Sequence, residues 1–388
     1  MDLIAEEQLK ETCYLIAGGF RRVLPYVYTF HVFAKGRWYS MPLLQLLLHE
    51  YRSYNEEYYR RAIKSGRIRI NGNLVDPDYV IKEHDELTHA VHRHEPPITD
   101  KAITIIHQDE ELVVIDKPPS IPVHPSGRFR HNTVVFILAK EHGFNNLHLV
   151  HRIDRLTSGI LLLGRNPAVA GKISEKVRTN EVVKHYLAKV HGQFPDGKQD
   201  VNQPIKSAVK GRGINCVHPS GKASRTVFLR LAYNPLNNSS LVLCRLYTGR
   251  THQIRVHLQW FGYPILNDPL YNLEKVDKIQ KGFDEVNLQR YAGSTSNQPE
   301  NTQGPPPPDP PKEASPPPQA PPETSPTSEI EAECLDCRAT FPDPEPHEMV
   351  QYLHAYSYQS HDWQFKTPLP DWSLEYQLNA TQIPLPLQ

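Results

Sequence analysis

The sequence predicts an α+β fold: hairpin-linked strands with only a few helices, preceded by a small helix-helix-hairpin module and interrupted by a disordered proline-rich insert. Three observations lead to it. From Ile103 onward short apolar or alternating runs recur, with turn residues between them and few helical stretches, the pattern of hairpin-linked strands. Residues 41–69 carry two helical patterns followed by an Ile/Arg alternation. Thirteen of the 36 prolines fall between Pro299 and Pro326, among Ser, Thr, Glu, Gln and Ala, a composition that cannot bury a core.

The elements follow in order. Residues 1–36 form an N-terminal extension and 37–95 the small module. Residues 41–51 (MPLLQLLLHEY) read as a short apolar helix, and 55–65 (NEEYYRRAIKS) as an amphipathic one that Gly66 terminates. Ile68 and Ile70 then alternate with Arg67 and Arg69, and Asn71-Gly72 supplies a tight turn before Leu74 and Val75, a hairpin signature. Residues 100–272 begin the main domain. Residues 111–116 read as a buried strand entering a proline-punctuated loop, and Asn132 as the cap of a helix that Gly143 ends. A polar loop from Val150 runs into the apolar strand 160–163. Strands are expected at 186–190, 226–231 and 240–247, and a helix from near Thr251 to Gly262. The insert spans 273–345, the closing strands 346–375 and the tail 376–388.

Formal net charge is zero over 388 residues, yet residues 37–271 hold 32 Lys and Arg against 21 Asp and Glu. That surplus permits an RNA partner, though an ordinary solvated surface explains it equally well. Five cysteines, of which Cys13, Cys216 and Cys244 are widely scattered, make no disulfide framework and suggest a reducing compartment. The acidic start lacks a secretory pattern, and no apolar run reaches the length of a membrane span. A cytoplasmic or nuclear protein is expected in preference to a mitochondrial one. Cys334-x-x-Cys337 is half a zinc site; His347 could contribute, but a fourth ligand is not evident, so the expectation is a pair of free thiols and no metal.

The segment His151-Arg152-Ile153-Asp154-Arg155-Leu156-Thr157-Ser158-Gly159 places one carboxylate among two arginines in a hydroxyl-rich turn. Nearby positive charge keeps a carboxylate ionised, and an ionised Asp can be a nucleophile. A structural Asp paired with Arg152 or Arg155 is the competing reading. A protein kinase loop is excluded, because Ile153 interrupts His-Arg-Asp and Ser158 stands where the metal-binding Asn belongs.

This loop, with the apolar strand after it, resembles the signature of the RluA family of pseudouridine synthases. Lys117-Pro118 and Val123-His124-Pro125 resemble an upstream family motif, and Lys184, Tyr186, Ala188, Val190 and Gly192 the motif carrying the family's tyrosine. Gly249-Arg250-Thr251-His252-Gln253-Ile254-Arg255-Val256-His257 resembles its arginine motif. Gly262, Pro264, Ile265, Asp268 and Tyr271, then Leu353-His354-Ala355, Phe365 and Pro368, complete the family order. The small module, from Trp38 to about Ala90, is similar to the alpha-L RNA-binding module; the alternative is a solvated helix and hairpin that cap the next domain.

The resemblance implies an RNA-modifying isomerase of pseudouridine synthase fold, a mixed, largely antiparallel sheet with flanking helices and a central active-site cleft, acting on a flipped nucleotide. Asp154 would be the nucleophile, Tyr186 would pack against the base, and Arg250 would pair with Asp154. His151, Arg152, Thr157 and Arg255 would bind substrate. Arg61, Lys64 and Arg67 would hold RNA phosphates. An isomerisation needs no cofactor. The loop Pro119–Pro125 and the late cysteine pair resemble a eukaryotic subgroup acting on tRNA, including position 32; mRNA and rRNA stay open as substrates. An RNA-binding protein that keeps the fold without the chemistry is the alternative; a glycosidase would need a second carboxylate that no motif offers.

Overall fold

The computed structural model describes residues 6–51, 54–209, 213–272, 334–338 and 342–387. Most of the expected proline-rich insert therefore lies outside the described residues. The chain divides into two compact units, one containing Val23–Glu95 with residues 334–338, the other containing the residues before it, 96–272 and 343–387.

The smaller unit holds a three-stranded antiparallel sheet of β1 (Tyr26–Phe33), β2 (Ile68–Ile70) and β3 (Glu86–Arg93), with β3 central. Helices α1 (Leu43–Glu50) and α2 (Glu56–Lys64) share one core with it. In α2, Tyr59, Ala62 and Ile63 recur at three- and four-residue spacing and are buried, while the Asn55 side chain accepts from the Tyr58 N–H. Two expectations change. Residues 26–33 are a strand of this sheet rather than part of a separate extension. Asn71-Gly72 makes the tight turn, both with positive φ, but β2 pairs with β3 rather than with Leu74 and Val75. Pro77 follows too closely for 74–75 to extend into a competing strand.

The larger unit is built on β4 (Thr104–Gln108), β5 (Leu112–Lys117), β6 (Ser158–Gly164), β7 (Val183–His191), β8 (Lys198–Asn202), β9 (Arg225–Asn234), β10 (Ser239–Leu246) and β11 (Leu353–Gln359). Their order is β8-β9-β10-β7-β11-β6-β5-β4, with a short strand, Gln364–Lys366, beside β11 and residues 148–149 beside β6. Pairings along this path are antiparallel except β6 with β11, in keeping with the α+β expectation. Helices α3 (Val134–His142), α4 (Pro167–Arg178) and α5 (Gln253–Trp260) accompany the sheet. β6 is buried at every residue, as its continuous apolar run requires. Thr133, not Asn132, is the N-cap of α3, and Gly143 ends that helix in the left-handed conformation; the Asn132 amide is drawn instead to the Pro96 carbonyl. No helix of the described residues is long and apolar enough to cross a membrane.

Candidate active site

The loop 151–157 delivers Asp154 to the start of β6. The Thr157 N–H donates to the Asp154 carbonyl at 3.1 Å, closing a turn. Beneath it the buried Lys117 ammonium, at the end of β5, donates to the carbonyls of Pro118, Ile121 and Arg155 at 2.8, 2.9 and 3.1 Å. Burial pushes Lys117 down to about 7, against the pull of Asp154. Ser158 is tied to His354 Nδ1 at 2.8 Å, and His354 Nε2 to Thr367 at 2.6 Å. Gly159 has φ +105°, and a Cβ there would lie 2.3 Å from the Ala355 carbonyl oxygen. Only glycine lets β6 approach β11 this closely.

Asp154 is held by Arg255 of α5, whose Nη1 donates to Oδ2 at 2.9 Å. The rest of that guanidinium is gripped by Asp268, through Nε to Oδ2 at 2.7 Å and Nη2 to Oδ1 at 3.0 Å. Asp268 also accepts from the N–H groups of Leu270 and Tyr271 and from the Gln351 amide. Burial works against the Arg255 cation, but the Asp268 and Asp154 carboxylates outweigh it and raise its pKa. Asp268 side-chain exposure is 0% and that of Asp154 30%. One carboxylate is thus structural and the other open to a ligand. His252 Nε2 stands 3.7 Å from Asp154 and its Nδ1 bonds the Tyr271 hydroxyl; burial lowers its pKa despite the Asp154 charge.

Asp154 opens into a cavity of about 310 Å³, the low end of the range for a ligand of nucleotide size. Tyr186 lines it from β7, and the register shift against β11 falls between His185 and Tyr186; such a bulge re-aims the side chain. Its hydroxyl bonds that of Tyr358. Burial, and the Asp154 charge, raise the Tyr186 pKa well above the ordinary phenol value, so it stays neutral. His151 takes the Leu162 N–H on Nε2 at 3.2 Å, and burial pushes it down to about 3; it is a neutral acceptor. The buried Thr157 hydroxyl lines the cavity without a hydrogen-bond partner among the described residues. Exposed Arg152 and buried Lys184 bring positive charge to the same cavity, burial lowering Lys184 to about 8.

Asp154, Tyr186, His151, Arg152, Thr157 and Arg255 therefore converge. Arg250 lines the cavity too, but its expected pairing with Asp154 is corrected: its Nε donates to the Ala223 carbonyl. Arg250 lies in the exposed turn before α5, whereas Arg255 is inside the helix, where burial demands fixed anions. In the smaller unit Arg61 pairs with Glu57 one turn earlier, and Lys64 is exposed. Arg67 is a second correction. It lies just ahead of β2, is buried, donates to Ser65 and packs on the Tyr58 ring, so it is not a surface phosphate contact. Asp268, Gln351 and Tyr358 carry no role in the sequence expectations. A helix segment that buries an arginine must find carboxylates, and that was the available signal for Asp268.

Residues 111–260 match the family model described as RNA pseudouridylate synthase. Pseudouridylate synthase RPUSD2 of Mus musculus is 39% identical, covering 95% of this chain and 74% of the relative. The mitochondrial tRNA pseudouridine(32) synthase of Saccharomyces cerevisiae is 35% identical over 93% and 78%, and the yeast tRNA pseudouridine(31) synthase 31% identical over 92% and 96%. The solved human RNA pseudouridylate synthase domain containing 4 covers 70% of this chain and 92% of its own, at 25% identity and TM-score 0.44. The yeast relative's mitochondrial name overturns the cytoplasmic or nuclear expectation. Reduced cysteines fit any compartment outside the oxidising ones, so they never separated these destinations.

Proposed function

The chain belongs to the RNA pseudouridine synthase family and is an RNA-modifying isomerase, and from that premise we propose that it converts uridine 32 of a tRNA anticodon loop to pseudouridine with Asp154 as nucleophile. The observation that carries the proposal is the partly exposed Asp154 carboxylate, fixed by Arg255 at 2.9 Å in a cavity that Tyr186 also lines.

The reaction breaks the N1–C1′ bond of uridine and forms C5–C1′; C5 loses a proton and N1 regains one. Asp154 either attacks C1′ or first takes a sugar proton, and both routes need an ionised carboxylate. Arg255 supplies the positive charge that keeps it so, and its grip by Asp268 fixes the direction from which Asp154 approaches. The neutral Tyr186 ring packs against the detached base. Thr157 and Arg152 offer a hydroxyl and a cation to the flipped nucleotide, whose extraction from its stack the cavity requires. The glycosyl transfer is intramolecular and leaves the oxidation level unchanged, so the chemistry calls for no redox or group-transfer cofactor.

Position 32 is supported by the 35% identity to the yeast enzyme named for that position, over most of both chains. That name also makes the mitochondrion the compartment to examine first. The test is to map pseudouridine in RNA from cells lacking this protein, with and without re-expression of the parent or Asp154→Asn. Loss at tRNA position 32, restored by the parent alone, is expected. Retention of that pseudouridine with loss elsewhere overturns the site assignment, and restoration by Asp154→Asn overturns the nucleophile.

A further inference from the structure

We propose that His92, His94, Cys334 and Cys337 form a tetrahedral zinc site within the smaller unit, separate from the catalytic chemistry. His347 is the candidate third ligand nearest the cysteine pair in sequence. The fold instead supplies two histidines, the first of them 242 residues away from Cys334.

The placement follows from local structure. His92 is on β3 and His94 just beyond its end; residues two apart on an extended chain share a face, and their rings meet edge to face with centroids 4.8 Å apart. Cys334 precedes the short helix Leu335–Arg338 and Cys337 lies on it, so a three-residue helical spacing turns both thiols to one side. Every pair among the four ligand atoms lies within 4.8 Å. His94 Nε2 is 3.2 Å from His92 Nδ1 and 3.2 Å from Cys337 Sγ, and those two atoms are 3.2 Å from each other.

An equilateral triangle of heteroatoms is a poor hydrogen-bond cluster, because each proton would have to point well off the line to its acceptor's lone pair. It is a good face of a coordination tetrahedron. With Zn–N of about 2.0 Å and Zn–S of about 2.3 Å, the N···N and N···S edges come to roughly 3.3 and 3.5 Å. Two imidazoles and two thiolates are the donor set for zinc. Four protein ligands leave no open position, so the site is structural. Binding converts both thiols to thiolates and releases two protons. The ion fastens residues 334–338 to the end of β3, closing a very long loop at modest entropic cost.

The test uses the full-length protein purified without chelator, with zinc measured by elemental mass spectrometry. About one zinc per chain is expected, falling at least tenfold in Cys337→Ser and His94→Ala and unchanged in His347→Ala. Should a variant fail to fold, the parent suffices: cobalt(II) added to the metal-stripped protein should give a thiolate-to-cobalt charge-transfer band, and zinc should slow maleimide labelling of Cys334 and Cys337 at least tenfold. Parent protein that neither retains zinc nor shows the band overturns the proposal, as does a Cys334–Cys337 disulfide in freshly purified protein or zinc content indifferent to His94.

Discussion

Arg255 bridges two carboxylates of opposite character, donating one hydrogen bond to Asp154 and two to Asp268. Replacing Asp154 by Asn leaves the arginine neutralised by Asp268, so pseudouridine formation should vanish while the melting temperature stays near the parent's. Asp268→Asn leaves a buried cation half paired and weakens a node that also receives two backbone N–H groups and Gln351. It should cost about 3–5 kcal/mol of stability in denaturant unfolding. Activity of Asp154→Asn within tenfold of the parent would sink the nucleophile assignment.

The two arginines of the same motif should separate kinetically. Arg255→Lys cannot span both carboxylates, and single-turnover rate should fall roughly a hundredfold, a loss of about 2.7 kcal/mol of transition-state stabilisation. Arg250→Ala should act mainly on KM, since its guanidinium reaches Ala223 rather than Asp154. Equal kcat losses in the two variants would contradict this division.

Gly159→Ala tests the close approach of β6 to β11. Its φ of +105° is unfavourable for any L side chain, and the new Cβ would sit 2.3 Å from the Ala355 oxygen. Destabilisation of about 3 kcal/mol or more is expected from strain and overpacking together, with activity lost because Asp154 lies just upstream. A variant as stable as the parent by thermal unfolding would show that the strands have room to separate.

Acid should destabilise the larger unit through His151, His185 and His354, of which the last two are buried. His151 and His354 are pushed down to about 3 and His185 to about 4, chiefly by burial. Their unfolded forms take up protons near pH 6.5 while the folded forms do not, so their contribution is complete above that pH and is lost as pH falls toward 4 and then 3. Each can cost up to about 1.4 kcal/mol per pH unit in that window. Unfolding free energy measured from pH 7 to 4 should decline with this slope, and less steeply in His354→Gln. A flat profile would mean the histidines are solvated.

RNA affinity should depend on the exposed cations of α2 and not on Arg67. Neutralising Arg61 and Lys64 should lower the salt dependence of RNA binding by roughly one unit of slope for each phosphate they neutralise, with saturated turnover little changed. Arg67→Met removes a buried group stacked on Tyr58 and should lower stability while leaving the slope alone. An unchanged slope in the first variant would assign RNA binding to another surface.

Periodicity, turn residues and contiguous motifs are local properties of a chain, and for that reason the α+β class, helices α1, α2, α3 and α5, strands β2, β5, β6, β7, β9, β10 and β11, and the loop bearing Asp154 were legible in the sequence, while α4 and strands β1, β3, β4 and β8 were not. The same motifs placed Tyr186 and Arg255 in the set that would meet. Which arginine faces Asp154 was not legible: Arg250 and Arg255 lie in one motif, and only the packing of α5 settles which is buried against Asp268. The pairing of β2 with β3, and the entry of residues 26–33 into the same sheet, also waited on the fold, since strand partners compete through backbone hydrogen bonds that no single segment encodes. The meeting of His92 and His94 with Cys334 and Cys337 is the extreme case. Ligands 242 residues apart have no common periodicity or spacing, and only the folded path of the chain places their donor atoms together.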